Sequence, residues 1–75
     1  MRRRKPTTWA KAASYLDRDK ARCLQMYFYE TEGIPARLSP VAGRWRVSVP
    51  AKVSPRIVRS VLRRFSLQWE AAGGF

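Results

Sequence analysis

The side chains of this chain best equipped for chemistry are its arginines. Sixteen Lys and Arg stand against five Asp and Glu, giving a net charge of +11 and a pI near 11.4, and twelve of the sixteen are Arg. A guanidinium is a planar fork that pairs bidentately with phosphate or carboxylate and stacks on flat rings; an ammonium is a hydrated point charge. The arginines fall into three groups by spacing. In "SPRIVRSVLRRF" (54–65), Arg56, Arg59 and Arg63 recur at intervals of three and four, which lines them up along one side of a helix. In "IPARLSPVAGRWRVSVP" (34–50), Arg37, Arg44 and Arg46 share the polar phase of an alternating pattern. Arg2, Arg3 and Arg4 run together beside Lys5. All nine are candidates for contact with a polyanion.

Other chemistry has little material. The chain has no His and one Cys, Cys23, so an internal disulfide and a multi-cysteine metal site are excluded. Asp17 and Asp19 stand where a helix begins and read as caps; Glu30 and Glu32 lie near its end. No Gly-rich phosphate loop occurs, and no nucleophile has a base beside it. An enzyme is therefore not expected, nor a metal or a cofactor. No run approaches the ~20 apolar residues that span a bilayer, and "MRRRKP" leads into no apolar stretch of the secretory kind. A cytoplasmic protein is expected, without membrane contact or a small-molecule substrate.

These arginines need a scaffold, and 75 residues allow one small domain with a thin core. Residues 1–6 read as a basic flexible tail and 7–75 as the domain. Residues 16–33 read as a helix, started by Asp17 or Asp19 as N-cap and ended by Gly33, with Ala21, Leu24, Tyr27 and Phe28 on one face. Residues 34–50 read as a hairpin turning at Pro40 and Gly43. Its inward face is Leu38, Trp45, Val47 and Val49; its outward face is Arg37, Arg44, Arg46 and Ser48. From 54 a second helix follows, with Ser54 as N-cap, Pro55 at the first turn and Gly73–Gly74 as the stop. Ile57, Val58, Val61, Leu62, Phe65 and Trp69 form its apolar stripe, opposite Arg56, Arg59 and Arg63. Trp45 and Trp69 are expected to be largely buried. Residues 7–16, "TTWAKAASYL", fit two templates. Trp9, Ala12, Ala13 and Leu16 match a helix, which the alanines favour, while Trp9 to Tyr15 can also run as an edge strand.

Two resemblances bear on that segment. "A…LQMYFYETEGIPARL" followed by "RVSVP" and "IVRSVLRRF" resembles small bacterial domains described as prokaryotic signal-transducing, PII-like proteins. That resemblance implies a βαββα, half-ferredoxin-like order, with residues 8–15 a strand and both helices on one face of the sheet. "TWAKAASYL" with "GIPA" and "GRWRV" also resembles phage excisionases of the winged-helix type. That one implies an ααββα order with 18–32 as recognition helix, Arg18, Lys20 and Arg22 near its start, and Arg44 and Arg46 on a wing.

The fold expected is a small single α+β domain, a β-hairpin packed on two helices in βαββα order, with the winged helix as alternative. The function expected is a small, non-enzymatic, basic binding protein that contacts nucleic acid, DNA foremost, through arginine–phosphate pairs. Its size and charge would suit a phage or mobile-element accessory protein. The alternative is a protein-binding regulator or inhibitor that docks on an acidic surface of a host enzyme such as RNA polymerase.

Overall fold

A computed structural model describes residues 7–73. The elements run β1 (Trp9–Tyr15), α1 (Arg18–Glu32), β2 (Arg37–Val41), β3 (Arg44–Pro50) and α2 (Pro55–Ala71). This is the βαββα order. The strands form one antiparallel sheet in the order β1-β3-β2. β1 and β2 therefore run parallel on either side of β3, and α1 crosses over to join them. The crossover fits in length: α1, at 15 residues, spans about 22 Å, and the 7-residue β3 beneath it spans about 23 Å.

Residues 9–15 are a strand, so the winged-helix order does not hold. The alanines that favour helix locally are overruled by pairing, since β1 supplies the second edge that β3 needs. Small side chains also suit the place, because Ala12 and Ala13 lie against the core. The register slips between Lys11 and Ala13. That bulge inserts one residue and reverses the facing of everything after it. Trp9 and Tyr15, six apart, would otherwise share a face. With the bulge, Tyr15 turns towards the helices and meets Phe65 of α2 at 6.5 Å between ring centroids, while Trp9 stays on the other side of the sheet.

The helices start and stop by the chemistry that the sequence indicates. The Asp17 carboxylate accepts from the Asp19 amide at 2.9 Å, which makes Asp17 the cap of α1. Gly33 ends α1 at φ 65°, a left-handed conformation that costs glycine nothing. The Ser54 hydroxyl accepts from the Arg56 amide at 3.2 Å and opens α2. The hairpin differs from expectation. Its two-residue turn is Ala42–Gly43, both at positive φ (52° and 78°), and Pro40 sits within β2 opposite Trp45. Paired positive φ values match the twist of the flanking strands, and an edge strand tolerates a proline that cannot donate.

Between sheet and helices lies a core of Ala21, Leu24, Phe28, Val47, Val49, Val61 and Phe65. Leu38 and Trp45 border it, so the inward face of the hairpin is the expected one. Three positions depart from expectation. Ile57 is 41% exposed, because it lies in the first turn of α2 at the rim of the stripe, and Val58 takes the inward place instead. Trp45 and Trp69 are half-buried rather than buried. Each is covered in part by a cation instead of an apolar side chain: the Arg18 guanidinium lies 5.3 Å from the centre of the Trp45 ring, and the Lys20 ammonium lies 6.0 Å from that of Trp69 and 4.7 Å from that of Tyr15. Arg18 and Lys20 are thus engaged with aromatic rings, not presented as the start of a recognition helix. Burial of the Tyr15 phenol raises its pKa above the ordinary value.

Candidate functional site

Both helices cover one face of the sheet, and the other face is open. Strand alternation and the pairing register dictate what it carries. One row across the strands is Lys11, Ser48 and Arg37; the next is Ser14, Arg46 and Ser39. Beyond them Arg44 stands opposite Val41 at the hairpin end, and Trp9 stands opposite Pro50 at the other end. Four cations therefore share this surface: Lys11, Arg37, Arg44 and Arg46.

The acids are all elsewhere. Asp17 caps α1, Asp19, Glu30 and Glu32 lie within it, and Glu70 lies in α2; no strand contains an Asp or a Glu. Rows are separated by about 7 Å along a strand. Two unit charges that far apart repel by about 0.6 kcal/mol in bulk water, and salt screens that further. So the fold tolerates the clustering, but nothing on the face offsets it. The result is a sheet surface of one sign, backed by a low-dielectric core that focuses its field outward.

Two of these cations are oriented. Arg44 donates from Nε to the Ser14 hydroxyl and from Nη2 to the Ser14 carbonyl, both at 3.1 Å, and is thereby tied across the sheet. The Arg37 guanidinium reaches over β3 to lie 5.3 Å from the centre of the Trp9 ring. Ser48, on the open face midway between them, is only 8% exposed. The Trp9–Arg37 pair roofs that part of β3.

The expected site residues thus divide. Arg37, Arg44 and Arg46 come together on the sheet. Arg56, Arg59 and Arg63 are exposed on α2, whose inward side is Val61 and Phe65, so their line faces away from the sheet on the opposite side of the molecule. Arg2, Arg3 and Arg4 lie outside the described residues. Arg64, beside that line, is engaged: its Nη2 lies 2.8 Å from a Glu32 carboxylate oxygen, and that hydrogen bond raises its already high pKa. Lys11 and Trp9 belong to the open face but were missed by sequence reasoning. Trp9 carries a helix-compatible spacing to Ala12, Ala13 and Leu16, and only the bulge, which leaves no mark in composition, decides the side on which it falls.

Among the described residues, no three His, Cys, Asp or Glu side chains lie close enough together to hold a metal ion. Cys23 is exposed, beside a shallow groove between α1 and α2 lined also by Met26, Tyr27, Phe65 and Trp69. No helix among the described residues is long and apolar enough to cross a membrane. Comparison of the chain with protein-family models, curated proteins and solved structures returns no match.

Proposed function

We propose that this chain is a non-enzymatic nucleic-acid-binding module whose open sheet face holds the phosphate backbone. The observation that carries the reading is the segregation of charge. Lys11, Arg37, Arg44 and Arg46 share an uncovered face without a single acid, in a protein of net charge +11. Three of the four are Arg, the side chain that matches phosphate bidentately.

The test is the dependence of affinity on salt. Each phosphate neutralised on a duplex contributes about −0.9 to the slope of log K against log salt, and on a single strand about −0.7. With the sheet alone engaged, three to four contacts give a slope between roughly −2 and −4. An affinity that barely changes between 50 and 200 mM salt would refute phosphate binding.

A second reading rests on α2. Its line of Arg56, Arg59 and Arg63 adjoins an exposed Ile57 and points away from the sheet. A cationic line with an apolar residue at one end suits an acidic protein surface, in keeping with a regulator that docks on a larger enzyme. The two faces are far enough apart to be tested separately.

A further inference from the structure

We propose that the open face takes single-stranded rather than duplex nucleic acid, with Trp9 as the platform on which a base stacks. This rests on the reading of the sheet as a nucleic-acid surface and goes beyond it in naming the form of the ligand.

Shape is the first ground. The major groove of a duplex, about 12 Å wide, admits a helix or a two-stranded ribbon. Three strands at about 4.8 Å spacing set the outer two backbones about 10 Å apart, and the side chains make the face broader than that of a two-stranded ribbon. On a duplex the base edges lie recessed in the groove, so a broad face of this kind meets the phosphates first. A single strand has no such restriction. It lies along a sheet with its bases turned inward and its phosphates at the margins.

The second ground is Trp9. It does not belong to the core and lies on the face opposite the helices. The indole is half-buried where it roofs β3 with Arg37, and it keeps part of its large apolar surface in solvent. On the open face it offers a flat π surface beside cations. The Arg37 guanidinium 5.3 Å from the ring centre holds the ring in place and stands ready to pair with the phosphate of a base stacked there. Lys11 and Arg46 lie on the same surface in the two rows that follow Trp9 towards the hairpin end, placed to track the backbone away from it. The combination of an aromatic platform with a cationic track is the one used by proteins that hold single strands through π faces, without reading sequence.

The experiment measures affinity for a 12-nucleotide single-stranded oligonucleotide and for the 12-base-pair duplex containing it, at 0.1 M salt. The wild type, Trp9→Ala, Trp9→Phe and the charge reversal Lys11→Glu/Arg46→Glu are compared. The wild type should bind the single strand at least tenfold tighter than the duplex. Trp9→Ala should lose about tenfold on the single strand and less than twofold on the duplex, while Trp9→Phe keeps most of the affinity. Because Trp9 lies outside the core, these variants should fold; melting curves check this, and Trp9→Phe alone still tests the direction should Trp9→Ala not fold. Equal losses on both ligands, or none, would overturn the stacking role, as would a wild type that prefers duplex. If the charge reversal still weakens both ligands in that case, phosphate binding by the sheet stands and only the single-strand inference falls. If no nucleic acid binds at all, both fall together.

Discussion

Val61→Asp is expected to abolish folding. Val61 is fully buried at the centre of α2's inward stripe, among the residues that join the helices to the sheet. A carboxylate there is set among buried residues that are all apolar: Ala21, Leu24, Phe28, Val47, Val49 and Phe65. It can escape its charge only by taking up a proton, and each unit by which its pKa must climb costs about 1.4 kcal/mol. Climbing from its usual value of about 4 to above 7 costs about 4 kcal/mol, to which the lost packing of the valine adds. A domain of this size has about 4–11 kcal/mol of stability in all. Circular dichroism should show no cooperative melt. A Val61→Asp protein that melted cooperatively near the wild-type temperature would mean that α2 does not pack by this face. Trp45→Ala should be milder than a fully buried tryptophan would make it, because Arg18 rather than apolar side chains covers part of its ring.

The second large effect concerns binding. The charge reversal Lys11→Glu/Arg46→Glu should lower affinity for an oligonucleotide by about two orders of magnitude at 0.15 M salt, because two attractions become two repulsions at the site of contact. The matching reversal on the helix, Arg59→Glu/Arg63→Glu, changes the net charge by the same amount but on the far side of the molecule. At that salt the screening length is about 8 Å, less than the thickness of a helix packed on a sheet. Its effect should be under threefold. Both proteins should fold, since none of these side chains is buried. Equal losses from the two pairs would show that net charge, not the sheet, governs binding. A loss confined to the helix pair would transfer the site to α2.

How much of this was legible in the sequence differs from element to element. Caps and turn residues act locally, so Asp17, Gly33 and Ser54 could be read directly. The alternation of Trp45, Val47 and Val49 with Arg44, Arg46 and Ser48 gave both faces of β3, because a strand's period of two maps faces onto parity. The residues of β1 left helix and strand both open. Its alanines favour helix, and what makes it a strand is β3, about thirty to forty residues away; the resemblance to a βαββα family tipped the choice towards the edge strand that the residues also allowed. The bulge was hidden for the same reason, and with it the placement of Trp9. The arginines of hairpin and helix were identified as two surface sets, yet their arrangement on opposite sides of the molecule depends on how helix and sheet pack. Composition cannot express that arrangement, which divides the candidate contacts into two separate footprints.

The account stands most directly on where a nucleic acid touches the protein. A titration of the ¹⁵N-labelled protein with a 12-nucleotide single strand, followed amide by amide, reads that contact without any substitution. The open sheet face predicts that the signals of Lys11, Arg37, Ser39, Arg46 and Ser48 and the indole N–H of Trp9 shift progressively, while Arg56, Arg59 and Arg63 stay in place. Shifts gathered on Arg56 to Arg63, with the strands unmoved, would contradict it.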